Sequence, residues 1–212
     1  MGNFIPYLKG NELLTEAFKF IINNNTGAYN PYHSNFHLID VFTTSMELAN
    51  LFDLSDKDRT ELGLATLFHD YNHSGGKLLK DSENITLAIM GLTVFLTGKK
   101  EMMMKMGVDE FIVEELINIT EYPHTREPIN PKEKIILDAD LLQCYNNNWF
   151  LNVIIGFYQK ENKENIPMKR IIESQISFIK KTRYYTDHAK YIQSKEQDKM
   201  LEKLYFLLDI YK

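Results

Sequence analysis

Apolar residues recur at intervals of three and four along most of the chain, and that spacing predicts helices. In "NELLTEAFKFIINN", Leu13, Leu14, Ala17, Phe18, Ile21 and Ile22 share one stripe, with Asn11 as the cap. "HSNFHLIDVFTTSMELANLF" predicts a helix opening just after Pro31. "SDKDRTELGLATLFHD" opens on Ser55, a good N-cap residue, and ends at His69 and Asp70. A further helix is predicted from near Ser82, and another over "VDEFIVEELINIT" to about Thr120. "NPKEKIILDADLLQCY" places Pro131 in a first turn, where its missing N–H is not needed. The same period runs through 149–160, 167–182 and 195–211. "GKKEMMMKMG" reads as a loop or the start of the next helix, with a mobile lid as the alternative. There is no period-two segment of useful length, no internal repeat and no Pro- or Gly-rich linker. The pattern predicts one all-α domain over residues 1–212.

Composition narrows the function classes. With 44% hydrophobic residues, 212 positions can build a real core. The net charge of −5 argues against a nucleic-acid partner. Lys99-Lys100 and Lys180-Lys181 with Arg183 read as solvated faces. Cys144 is the one cysteine, so no disulfide can form within the chain, which fits a reducing compartment. No apolar run approaches the ~18 residues a membrane span needs, and the first residues lack the pattern of a signal peptide. The expectation is a cytoplasmic protein with no membrane partner. The "NNN" runs at 23–25 and 146–148 read as compositional drift.

Four of the six histidines fall in two tight groups, "HSNFH" from His33 and "FHDYNHSGG" from Phe68. His33 and His37 are four apart and would share a helix face. His69 and Asp70 end an apolar helix, with His73 just beyond. Asp138 and Asp140 interrupt the apolar "ILDADLLQ", and a buried carboxylate needs a partner. A divalent metal would partner several such groups at once through mixed nitrogen and oxygen ligands. Taken singly, each group has a structural reading; together and in this order they point to metal.

The order H…HD…D on helices resembles the HD superfamily of metal-dependent phosphohydrolases. "YHSNFHLIDV", "HDYNHSG" and "SQISFI" are further similar to motifs of the class I 3′,5′-cyclic-nucleotide phosphodiesterases. The resemblance implies His37, His69, Asp70 and Asp140 as metal ligands, with Asp138 the alternative to Asp140. It implies two divalent ions (Zn, Mn, Fe or Mg) bridged by Asp70 and by a hydroxide that attacks phosphorus. His33 would be the general acid, and His73 would orient a water or the phosphate. Gln175 would bond the base and Phe178 would stack on it; His124, grouped with the substrate-binding residues, would lie near the second metal or else be a surface-loop histidine. Glu83 and Asn84 are weaker candidates, and His188 reads as structural. The implied activity is hydrolysis of cyclic nucleotides, purine ones preferred, to 5′-monophosphates, with a small-molecule nucleotide as partner. The alternatives are an HD-type 5′-nucleotidase or other nucleotide phosphohydrolase, a cyclic-oligonucleotide hydrolase, or a domain without catalysis. Three positions depart from the phosphodiesterase pattern: Asn72 replaces aspartate, Ser74 replaces proline, and "ADLLQC" lacks the usual asparagine-proline.

Overall fold

The apolar periods fold into helices alone. The computed structural model describes residues 3–76, 80–161 and 166–211. Among them the α-helices run in the order α1 (Ile5–Leu8), α2 (Glu12–Asn24), α3 (Asn35–Ala49), α4 (Asp56–Phe68), α5 (Asp81–Leu96), α6 (Lys100–Met106), α7 (Glu110–Asn118), α8 (Pro131–Leu141), α9 (Met168–Lys181) and α10 (Asp187–Ile210). A 3₁₀ turn (Leu142–Tyr145) and a π-helix (Phe150–Glu161) lie between α8 and α9. The described residues contain no strand, and none of their helices is long and apolar enough to cross a membrane.

The centre of the larger core is α4. Every residue from Thr60 to Phe68 is buried, and α2, α3, α5, α7 and α8 pack around it. A helix apolar on nearly all sides belongs inside a core. Gly63 permits the approach of its neighbours, since a Cβ there would stand 2.9 Å from Leu14 and 3.2 Å from Phe42. Glu61 is the charged exception, and Lys132 of α8 and the Asp109 N–H both bond it. A second, smaller core gathers Trp149, Ile154, Ile172, Ile176, Met200 and Leu204 from the π-helix region, α9 and α10.

Helix starts follow local chemistry. Asn11 and Ser55 accept from the Leu14 and Asp58 N–H groups, as their cap positions predict. Pro131 occupies the first turn of α8, behind Asn130 as cap. Four expectations need correction. The third helix opens at Asn35, because residues 31–34 bend before it. The methionine-rich segment, expected as a loop or the start of the next helix, is a short helix of its own, α6, with Met103 buried and Gly107 in the left-handed region closing it. The segment near 150–161 is π-helical. The last helix starts at Asp187, well before 195, because Thr186 caps it and accepts from Ala189 N–H.

Glu133 closes the start of α8. Its carboxylate accepts from both Arg126 nitrogens at 2.8 and 3.0 Å and from the Ile129 N–H at 2.8 Å. Burial disfavours its charge, but Arg126 and the Ile129 N–H outweigh that and hold the carboxyl below its usual value. A folded value below the unfolded one, which is about 4.3, gives stability that is complete above that pH. That stability is lost as pH falls through the depressed value. Glu133→Gln is expected to flatten this acid limb, read as urea midpoint against pH. An unchanged limb would assign the acid sensitivity to other carboxylates.

Candidate metal centre and its cavity

Three separate helix ends deliver the candidate ligands. His37 lies in the first turn of α3, His69 caps the end of α4 with Asp70 next to it, and Asp140 lies in the last turn of α8. Asp70 Oδ2 stands 3.1 Å from His37 Nε2 and 3.2 Å from His69 Nε2. Asp140 Oδ1 stands 3.3 Å and 4.0 Å from the same two nitrogens. Both nitrogens are buried, and neither has a hydrogen-bond partner. His69 Nδ1 lies 2.9 Å from the Thr66 carbonyl, which can only accept, so Nδ1 carries a hydrogen and Nε2 is the atom turned toward the carboxylates. A backbone carbonyl behind a ring is the support that metal-ligating histidines usually have.

These residues fit a divalent cation. Two orphaned imidazole nitrogens and two carboxylates converge, and the ligand atoms of His37, His69 and Asp70 lie within 4.8 Å of one another. The electrostatics are mutual. Burial opposes charge on His37, yet Asp140 and Asp70 outweigh it and hold the ring up at about 10. Burial likewise opposes charge on Asp70, and His69 and His33 hold it well below the usual carboxylate range. Asp138 is the other candidate from the same helix. It points elsewhere: it accepts from the Tyr185 and Thr186 N–H groups at 2.9 and 2.7 Å and anchors the start of α10. Two positions along a helix is about 200° around its axis, so only one of the pair can face the histidines.

His33 reaches the cluster by another route than its spacing predicts. It lies before α3, outside the helix, so no shared helical face relates it to His37. Glu161, at the end of the π-helix, holds it. One carboxylate oxygen accepts from the His33 and Tyr32 N–H groups, and the other meets His33 Nδ1. Nδ1 therefore carries the hydrogen, and Nε2 faces Asp70 Oδ2 at 4.0 Å. The His73 ring stacks on His33 with centroids 3.7 Å apart. Burial, then the neighbouring His33, pushes His73 down to about 4, so it is neutral at pH 7. His33, His73 and Glu161 are close enough to form a second metal-capable group. Two rings tilted only 24° to each other cannot both aim in-plane lone pairs at one ion.

The π-helix is pressed against the His33 loop. A Cβ at Gly156 would lie 2.7 Å from the Pro31 carbonyl oxygen, closer than real contacts allow. Gly156→Ala is therefore expected to move Glu161 off His33. The imidazole resonances of His33 should shift, with helix content by circular dichroism unchanged. Unshifted His33 resonances in a folded Gly156→Ala protein would show that this contact does not position His33.

Two functional supports were missed in the sequence. Glu161 is hidden in the charged run "YQKENKEN", where nothing marks one glutamate as buried. Asn25 belongs to the "NNN" run read as drift, yet it is buried. Its side-chain Oδ1 accepts from the Asn72 and Gly27 N–H groups, and its Nδ2 donates to Asn35 Oδ1 at the start of α3. Asn30 donates to the His73 carbonyl at 2.8 Å. Asn72 adopts a positive φ of 60°, and its side chain accepts from Thr26. These amides tie the His73 loop to the segment that carries His33.

Above the cluster opens a cavity of about 610 Å³, within the range that encloses a small-molecule ligand. His33, His69, Asp70, His73 and Asp140 line one part of it, and Gln175 and Phe178 of α9 line another. Gln175 is 1% exposed, and its amide nitrogen has no partner. Phe178 lies 6.3 Å from the Tyr122 ring. His124 is not on the wall; its ring packs against Tyr122, which is. Asn84 reaches the wall and accepts from the Ser74 N–H at 3.0 Å, whereas Glu83 is exposed and apart from it. His188 is exposed on α10 and does not line the wall. No protein-family model, no curated protein and no solved structure matches this chain.

Proposed function

We propose that the chain is a metal-dependent phosphodiesterase that opens 3′,5′-cyclic nucleotides, purine ones preferred, to 5′-monophosphates. One observation carries the reading. Two buried, unpartnered histidine nitrogens meet two carboxylates at a cavity wall, with a third, carboxylate-held histidine beside them. His37, His69, Asp70 and Asp140 would hold the cation; the second of the two expected ions rests on the family resemblance. When bound, a divalent cation supplies Lewis acidity to the phosphate and makes a water acidic enough to attack near neutral pH.

The chain's own residues do the rest. A departing sugar oxygen leaves poorly unless protonated, and an imidazole delivers that proton well at pH 7. His33 suits the task because Glu161 fixes its Nδ1 hydrogen and leaves Nε2 toward Asp70. His73 is held neutral, so it orients and stacks rather than donating. The free amide of Gln175 and the ring of Phe178 offer a hydrogen-bonding edge and a stacking face for a base.

Product analysis tests this reading. Metal-loaded protein is incubated with cyclic mononucleotides, cyclic dinucleotides and nucleoside 5′-monophosphates. A 5′-monophosphate arising from a cyclic purine nucleotide is expected, and its formation should fail in His33→Ala. Gln175→Ala should raise KM for that substrate roughly 5- to 150-fold, as losing a buried hydrogen-bond pair costs about 1–3 kcal/mol. Phosphate released from monophosphates, with cyclic compounds untouched, would make the protein a nucleotidase instead.

A further inference from the structure

Helix α5 carries no charged residue from Asn84 to its end, and Gly98 passes before the first lysine. One side of the helix is core: Ile85, Ala88, Leu92 and Phe95 are buried, and α4 and α7 pack on it. The opposite side is exposed at Glu83, Thr86, Met90 and Thr93, and at Thr97 that caps its end. A helix face in water ordinarily carries charge, as α10 does with Lys190, Lys195, Glu202 and Lys203 exposed. On α5 only Glu83, at the start of the face, is charged. The three threonine hydroxyls do not depend on water either. Each donates to a carbonyl of its own helix, Thr86 to Ser82, Thr93 to Ile89 and Thr97 to Thr93, at 2.9, 3.1 and 3.0 Å. Covering this face would leave no hydroxyl proton without an acceptor.

From Glu83 to Thr97 the exposed positions step by three, four, three and four. That is the spacing by which two helices pack along a seam. Lys100, three further on, is exposed and opens α6 just past the end of α5. Among the described residues neither Glu83 nor Lys100 forms an ion pair. Turned end for end, this face matches itself. In an antiparallel pair of α5 helices, Met90 of each copy meets Thr93 of the other, Thr86 meets Thr97, and Glu83 meets Lys100. Val94, more than half exposed, meets Ile89 on the flank. Opposite charges come together at both ends, and antiparallel helix dipoles attract. A parallel pair would set Glu83 on Glu83 and Lys100 on Lys100. A membrane surface is a poorer match, because the face is rich in threonine and begins on an acid.

We propose that the outer face of α5 binds a second copy of this chain, forming a two-fold dimer whose axis passes between Gly91 and Leu92. The pairing does not depend on the chemistry of the cavity. Each copy carries a net charge of −5, so their approach is least opposed at an uncharged face. The two-fold axis makes every contact twice. One helix pair is a small interface, so the dimer is reversible, dissociating at about 1–100 µM. The seam begins between Asp81 and Asn84, which both line the cavity, so the second copy reaches the end of α5 that borders it.

Sedimentation velocity of the full chain, from about 1 to 300 µM, tests the pairing. A concentration-dependent shift from monomer to dimer is expected. Met90→Lys places a charge at the centre of the seam and should weaken association by at least about thirtyfold. Its circular dichroism should match wild type, because Met90 is exposed. Glu83→Lys and Lys100→Glu, made singly, should each weaken the dimer by about tenfold, since like charges then meet at both ends. Exchanging the two, Glu83→Lys/Lys100→Glu, should bring association back to within about threefold of wild type. A chain that stays monomeric throughout overturns the proposal. So does a dimer indifferent to Met90→Lys, or an exchange that recovers nothing of what the single changes lose.

Discussion

On the metal-dependent reading proposed above, Asp70→Ala is expected to abolish divalent-cation binding and lower turnover by at least about 10³-fold, the loss of several kcal/mol of metal assistance. Asp70 Oδ2 is the atom nearest both orphaned nitrogens, at 3.1 and 3.2 Å, and it also faces His33 at 4.0 Å. No other carboxylate can replace it. Asp140 meets the same rings from the opposite helix, and Glu161 is committed to His33. The fold should survive, because Asp70 lies beyond the end of α4, outside the apolar contacts that build the core. Metal content after dialysis, read beside circular dichroism, is the measurement. Asp138→Ala is the contrast. It frees the Tyr185 and Thr186 N–H groups and should lower stability while the metal stays bound. A folded Asp70→Ala protein that keeps its metal and its activity would remove the centre described here.

Glu61→Ala should cost about 1–3 kcal/mol of stability, the usual penalty for leaving a buried donor without its acceptor. For a chain of this size that corresponds to a melting point lower by roughly 5 °C. Glu61 is 0% exposed in the middle of α4. Lys132 bonds it at 2.5 Å, and the Asp109 N–H bonds it at 3.0 Å, so α4, α8 and the start of α7 meet on one carboxylate. Burial disfavours the Lys132 charge, and Asp58 and Glu61 outweigh that to keep it cationic. Losing Glu61 leaves that ammonium with Asp58 alone, on the more exposed side. The double variant Glu61→Leu/Lys132→Met is expected to be more stable than either single change, because an apolar pair carries no desolvation cost. Thermal and urea unfolding decide it. A Glu61→Ala protein within about 1 kcal/mol of wild type would mean that water reaches the site.

How much of this was legible in the chain depends on the length scale of the cause. Caps at Asn11 and Ser55, Pro131 in a first turn and the apolar periods act within one or two helical turns, so residue order alone exposes them. His69 and Asp70 announce themselves because an apolar helix ends on them. By contrast, α6 was obscured because its glycine flanks resemble those of a loop, and burial of Met103 against the larger core makes it a helix. The early start of α10 depends on Asp138, 48 residues away from Thr186, accepting from its backbone.

The sequence by itself determined the all-α class, most helix starts, and the set of histidines and aspartates from which a metal centre can be built. Tertiary structure decided which of them meet. It turned Asp140 toward the rings and Asp138 away, placed His33 outside α3, and kept His124 off the cavity wall. It also brought Glu161 to His33 across 128 positions and made Asn25 a buried junction. The reason is physical. Periodicity and capping are set by neighbours along the chain, whereas a buried carboxylate or amide is chosen by whichever distant donors the packed helices leave unsatisfied. That choice has no local signature, and it is what assembles the site.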